Sequence, residues 1–345
     1  MKPINGKNDS YKSIVFTDSR DDASNTAGGV AVNHHFDLLR QLFAAQLYQK
    51  KPTDTEAVKF EIKQIKDRIQ AGFASQDDEP RLRELLKLLS GDSEQTWISI
   101  TAAILNEMVS RGIAPAGPAV SKLTFNRKPW YTGFIPRDKE WEPVSLNERM
   151  EMSKHYLDLL RADIAENVLF DRAERDMESV GLAHLHFNGK FEKLQALNEE
   201  VSRQILDSCV RILGLSKHYD GNSSMKPAKK TPNSIKSYLK TLSEFHNVDY
   251  AKLEDWVKVT LENSALIDSW NIQLLTGNIP LSIQPNLGFA FICKRCTYSH
   301  LHESGGVCIK QNCHATELKK APLEDIFVTD YFAWLSTKSP QRLRI

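Results

Sequence analysis

The sequence predicts a mainly helical chain with one strand-and-helix element at its N-terminus and a small cysteine-built knuckle near its C-terminus. Three observations carry that expectation: long stretches with apolar residues at helical spacing, a β-rich run at Ser13–Thr17, and four cysteines crowded into the 21 residues from Cys293 to Cys313. A chain of 345 residues is long for one small core, so two or three structural units are expected. Apolar residues at 41% and charged residues at 26% exclude a wholly disordered chain. The formal charge of +1 gives no global field that would point to nucleic acid, which leaves local patches to carry any such contact. No run of about 18 apolar residues occurs, and the first dozen residues are polar, so a cytoplasmic chain without a membrane partner is expected.

The N-terminal element reads as strand, tight turn and helix. Ser13-Ile-Val-Phe-Thr17 is β-rich, and Asp18-Ser19-Arg20-Asp21-Asp22 then supplies an acidic cluster suited to starting a helix. That helix runs to about Tyr48, with Ala23, Ala27, Val30, His34, Leu38, Leu42 and Ala45 on a face that can lie on a sheet, weakened locally by Gly28-Gly29. The turn residues Asp18, Ser19 and Arg20 either cap the helix or face an anionic ligand, because free N–H groups and the helix dipole both favour negative charge. From about residue 52 to 112 three further helices are expected, the last ended by Gly112. The proline-rich stretch that follows, with Trp130, Tyr131, Phe134 and Trp141, reads as an irregular connection pinned by buried rings.

Ser145-Leu-Asn-Glu148 is a capping-box sequence, and Met152, Tyr156, Leu159, Leu160, Ile164 and Val168 continue a helical stripe to about Phe170. Another helix is expected over Glu199 to Leu215, then a polar loop to Thr231 carrying Lys226, Lys229 and Lys230. Thr231-Pro232 fits an N-cap and first-turn proline for a helix whose apolar face is Ile235, Tyr238, Leu239, Leu242 and Phe245, and a second helix follows from about Tyr250 to Leu261. The pair has helix-turn-helix spacing, which generic helical hairpins share. With Lys236 and Lys240, the loop lysines form a basic patch that either meets phosphates or is simply solvated. After Pro280 the pattern turns to short β-type runs around the cysteines.

The cysteines read Cys293-x2-Cys296-x11-Cys308-x4-Cys313. Two close pairs joined by a loop let each pair grip one edge of a tetrahedral zinc ion, and Gly305-Gly306 gives the second turn backbone freedom. Clustering in a reducing compartment favours a metal over disulfides. Four thiolates leave no open position for water, so a structural zinc is expected; His300, His302 and His314 beside it could replace a cysteine, but since four thiolates complete the shell without them they read as loop residues. Cys209 stands alone and reads as a buried thiol. No phosphate-binding loop, H-E-x-x-H or G-x-S-x-G occurs, so no catalytic residue and no autonomous activity are predicted.

The segment Ser13-Ile-Val-Phe-Thr-Asp-Ser-Arg-Asp-Asp-Ala23 resembles the opening of the second RecA-like domain in a group of large bacterial superfamily 2 DEAD/DEAH-box helicases. The run Cys293-Lys-Arg-Cys-Thr-Tyr-Ser-His-Leu-His-Glu-Ser-Gly-Gly-Val-Cys308, through Cys313, is similar to their cysteine-rich insertion. The ending, Asp330-Tyr-Phe-Ala-Trp-Leu335 and Arg342-Leu-Arg-Ile345, is similar too. The resemblance implies a partial RecA-like α/β element over 1–50, a helical segment and connection over 51–143, a helical insertion over 144–280, the knuckle over 281–322 and a return to the motor sheet over 323–345. It implies a partial or accessory portion of an ATP-dependent DNA helicase of the DNA-repair or phage-defence type. ATP and magnesium would be used only in a complete helicase, with a partner chain carrying the first RecA-like domain. Thr17, Asp18, Ser19 and Arg20 would then lie near DNA or the interdomain cleft. The other expectation is a stand-alone zinc-stabilised DNA-binding or scaffolding protein.

Overall fold

The computed structural model describes residues 20–48, 63–65, 95–134, 144–171, 173–194, 196–221, 228–275, 279–286, 288–323 and 330–336. The described residues form a mainly helical protein with small antiparallel sheets. The expected strand Ser13–Thr17, with Thr17, Asp18 and Ser19, lies outside them, as do Lys226, Trp141 and most of the expected helices between residues 52 and 94.

Helix α1 spans Arg20–Tyr48. Its expected face holds only in the second half: Leu38 and Leu42 are buried, whereas Val30 is 48% exposed and Ala27 is exposed. From His35 onward burial runs nearly all the way round, because α1 is enclosed by helices rather than laid on a sheet. Its neighbours are α2 (Trp97–Ser110), α3 (Leu146–Ile164) and α7 (Tyr331–Ser336). Arg40 shows how tight this enclosure is: it pairs with Asp171 at 2.9 Å, donates to the Asn167 carbonyl and stacks on Phe332 of α7. At its end α1 reaches the edges of a sheet, where the Tyr48 hydroxyl donates to the Leu182 carbonyl and accepts from Asn286.

Thr96 caps α2 through its hydroxyl, which accepts from Ser99 N–H. Gly112 ends the helix as expected: at φ +66° it lets its own N–H reach the Val109 carbonyl while Ile113 N–H reaches Met108, the paired bonds of a Schellman turn. Within the connection after it, β2 (Thr124–Phe125) and β3 (Lys128–Pro129) form a hairpin turned by Asn126 and Arg127, both at positive φ. Trp130 and Phe134 are half-buried against Met152 and Tyr156, but Tyr131 is exposed, so two of the three described rings pin the segment. The stripe on α3 is buried at Met152, Tyr156, Leu160 and Ile164, and a π-turn over Ala165–Leu169 carries it to Val168.

α4 (Glu199–Leu215) is the central helix, buried on every side from Gln204 to Gly214. A helix buried all round normally lacks charge. This one carries Asp207 and Arg211 inside, so their partners must come from whatever encloses it. Those surroundings are β4 (Ala183–Phe187), helix α5 (Asn233–His246) and the turn at residues 304–306. α5 and α6 (Tyr250–Asn263) form a hairpin through Asn247, left-handed at φ +54°, with Asp249 capping α6 by accepting from Lys252 N–H. The start of α5 departs from expectation: Pro232 occupies the capping position, and the Thr231 hydroxyl bonds Glu254 of α6 instead. Phe245 is half exposed instead of buried with the other four apolar residues.

β7 (Leu281–Pro285) is the middle strand of a sheet with β4 and β1 (Gln95–Thr96), placing Leu185 opposite Ile283. β5 (Ile267–Asp268) and β6 (Asn271–Ile272) form a small hairpin. The second three-stranded sheet centres on β8 (Phe289–Cys293), flanked by β9 (Ser299–His300) and β10 (Leu318–Pro322). Among the described residues no helix is long and apolar enough to cross a membrane.

Candidate metal centre

Cys293 closes β8, Cys296 lies in the turn into β9, and β9 pairs back on β8, so the first cysteine pair is set by a tight hairpin. Thr297 sits at φ +60° in that turn, and Cys293 N–H donates to the Tyr298 carbonyl. Cys308 and Cys313 come from a second turn, closed by Cys308 N–H to the Ala315 carbonyl and Cys313 N–H to Lys310, with Asn312 and His314 left-handed.

The sulfurs of Cys293 and Cys313 are 3.6 Å apart, as are those of Cys296 and Cys308, and all four lie within 4.8 Å of one another. A disulfide needs about 2.05 Å. A tetrahedral ion with four thiolates at about 2.3 Å sets its sulfurs about 3.8 Å apart. The four thiols are thus placed to hold a metal ion such as zinc, and a complete thiolate shell suits a structural ion rather than a catalytic one.

Backbone donors prepare the sulfurs for negative charge. Burial pushes the Cys293 thiol up, but N–H groups of Cys296 and Arg295 aimed at its sulfur, together with the neighbouring thiols of Cys296 and Cys313, outweigh burial and leave it below its ordinary range. Burial carries Cys296 up to about 11 despite the Tyr298 N–H, and drives Cys308 upward as well despite that of Lys310. A bound cation reverses the cost of burying thiolate, which is why thiols that burial holds protonated become ligands.

The knuckle is clamped to the helical body. Gly305 and Gly306 adopt φ +63° and +87°, and a Cβ on Gly305 would stand 2.9 Å from Ile205 Cγ1 and 3.1 Å from Leu242 Cδ2. The glycine pair is therefore required for close approach to α4 and α5 as well as for the turn. The Tyr238 hydroxyl donates to the Ser304 carbonyl at 2.8 Å, and His246 donates to Gly305 at 2.7 Å.

Beneath the knuckle lies a buried polar network that the sequence did not announce. Arg211 bonds Asp176 at 3.0 Å, Glu178 at 2.7 Å and the Tyr298 hydroxyl at 3.0 Å. Burial pushes Glu178 up to about 7 against the pull of Arg211, while Asp176 and Glu178 hold Arg211 protonated in spite of its own burial. The three histidines expected as loop residues are partly committed here. His300 is fully buried in β9 and meets Ser304 Oγ; His302 accepts from Ser304 N–H and lies against the ring of His184. Only His314 stays at the rim, donating to the Cys308 carbonyl. Burial drives His300 well below its ordinary value and His302 down to about 4.

Next to this network, His184, His186 and Asp207 bring one ligand atom each within 4.8 Å of one another. Alternation in Ala183-His-Leu-His-Phe187, two imidazoles on one strand face, was the available signal. Cys209 is fully buried, as expected of a core thiol. Of the lysines, Lys229 and Lys230 are exposed, and Arg20 begins α1. No protein-family model, no curated protein and no solved structure matches this chain.

Proposed function

We propose that the chain is a zinc-stabilised accessory portion of an ATP-dependent DNA helicase or translocase, working with a motor domain that supplies the phosphate-binding loop from outside these residues. The observation that carries this reading is the convergence of the four cysteines into a closed site docked on α4 and α5, in the order the resemblance requires. In support, Arg20 is the first described residue of a 29-residue helix, and the dipole at a helix N-terminus attracts a phosphate or carboxylate. Zinc is the ion that four thiolates at tetrahedral spacing favour. Its role is to fold the knuckle and through it to fix α5.

The test is reconstitution. The chain is mixed with a motor polypeptide bearing a phosphate-binding loop, and DNA-stimulated ATP hydrolysis is measured. Arg20→Ala should weaken the stimulation severalfold with ATP turnover in the absence of DNA unchanged. Equal stimulation by wild type and variant counts against the placement of Arg20, and ATP turnover by the pure chain counts against the division of labour.

A second reading, a stand-alone DNA-binding or scaffolding protein, is favoured by the exposed Lys229, Lys230, Lys236 and Lys240 around the start of α5. Under it the pure chain binds duplex DNA with strong salt dependence, and replacing Lys229 and Lys230 by alanine lowers the slope of log K against log salt by roughly 1 to 2.

A further inference from the structure

We infer that His184, His186 and Asp207 form a second metal site, distinct from the four cysteines, that takes a divalent first-row transition ion of the zinc, iron(II) or manganese class. The inference is independent of whether the chain serves a helicase.

Strand alternation puts His184 and His186 on the same face of β4, and that face meets α4, which carries Asp207. Two rigid elements thereby present two imidazoles and one carboxylate toward one point, with their ligand atoms within 4.8 Å of each other. His186 Nδ1 lies 2.9 Å from Asp207 Oδ2. Ligands about 2.1 Å from one ion sit about 3.0 Å apart at octahedral angles and about 3.4 Å at tetrahedral angles, so this pair is already at coordination spacing and a small closure brings in the third. Asp207 Oδ1 accepts from Phe187 N–H at 2.6 Å, the kind of outer bond that orients a ligating carboxylate.

Two features are left over if the trio is only a hydrogen-bonded group. His184 is 8% exposed, and its Nδ1 is buried without a hydrogen-bond partner. Asp207 is a carboxylate at 3% exposure, and Arg211 on the same helix is occupied by Asp176 and Glu178. A dication answers both: it gives imidazole nitrogen an electron-pair acceptor and supplies positive charge to a buried acid. His302 stacks on His184 but stays outside the set, its Nδ1 taken by Ser304 N–H and its Nε2 3.9 Å from Glu178. Two imidazoles and a carboxylate leave coordination positions for water, in contrast to the closed cysteine site. His186, the most accessible of the three, marks the side from which the ion enters.

The experiment uses the full chain saturated with zinc and freed of excess. Elemental analysis should find two zinc ions per chain, and X-ray absorption at the zinc edge should show an average shell shared between sulfur and nitrogen or oxygen. His184→Ala combined with His186→Ala should leave one ion per chain in an all-sulfur shell. One ion in an all-sulfur shell in the wild type overturns the inference and leaves a hydrogen-bonded pair only. Two ions retained by the double variant overturn it equally, by placing the second ion elsewhere. The wild-type spectrum decides even if the variant fails to fold.

Discussion

The cysteine knuckle and the polar cluster beneath it are built from the same kinds of residue by opposite means. The knuckle draws its four ligands from 21 consecutive residues and needs only two turns and a hairpin to bring them together. The cluster takes Asp176 and Glu178 from a loop, His184 and His186 from β4, Asp207 and Arg211 from α4, and Tyr298 and His302 from the knuckle. Turns confer the first geometry locally, whereas the second exists only once a strand, a helix and the cysteine-bearing loop have packed. The two are also coupled, since Tyr298 stands between Cys296 and β9 and bonds Arg211 directly. Loss of the metal should accordingly be felt in the polar cluster, whereas loss of the cluster leaves the cysteines' local geometry intact.

The largest expected effect breaks the comparison at its metal end. Structural zinc contributes on the order of 10 kcal/mol to folding its own segment. Chelation or Cys308→Ser should erase hydrogen-exchange protection over residues 289–322 and lower it in α5, which hangs on Ser304 and Gly305. Unchanged exchange in α5 would show that the clamp is dispensable. Next in size is the cluster: Arg211→Met leaves Asp176 and Glu178 buried without their cation and should cost about 3–5 kcal/mol in urea unfolding, with metal content unchanged. A loss below 1 kcal/mol would mean that water reaches these acids.

Smaller effects sharpen the boundary between the two regions. Gly305→Ala combines a left-handed backbone with a Cβ pressed on Ile205, for a cost of about 2–4 kcal/mol by denaturation, and Gly288→Ala, equally left-handed but with nothing near its Cβ, should cost only the backbone share of about 1–2 kcal/mol. The pH dependence should carry opposing slopes. His300 and His302 have folded values below the ordinary one near 6.5, so their contribution is present above that pH and lost as it falls toward 4. Glu178, raised to about 7, contributes below its ordinary 4.5 and loses that contribution as pH rises through 7. Glu178→Gln removes the opposing slope, so stability should fall more steeply on acidification between pH 6.5 and 4.5, by about 1.4 kcal/mol per pH unit. A slope identical to wild type would mean that Glu178 stays ionised. Smallest of all, Lys310→Ala breaks an exposed pair with Glu174 and a cation–π contact with Tyr298, and should change stability by about 1 kcal/mol or less.

What could be read from residues alone follows one physical rule. The bounds of α4 at Glu199 and Leu215, the stop at Gly112, the α5–α6 hairpin and the cysteine set all depend on contacts within a few residues, and sequence spacing encodes those. The direction in which an element faces does not. α1 carries apolar residues at a spacing suited to lying on a sheet, yet residues 26–33 are largely exposed and the second half is enclosed by helices, because burial depends on neighbours brought from residues 97–110, 146–169 and 331–336. Thr231 was placed to cap α5 and instead reaches Glu254, since a partner on the next helix outcompetes a local N–H.

By itself, then, the chain's order of residues determined the bounds of α4, the stop at Gly112 and which four thiols meet, because turns and caps act at short range. Only packing decided that His300 is a core residue, that Arg211 has two acids, and that two histidines and an aspartate 21 residues beyond the second of them come together. Those outcomes depend on which polar groups are excluded from water together, and no local pattern records that.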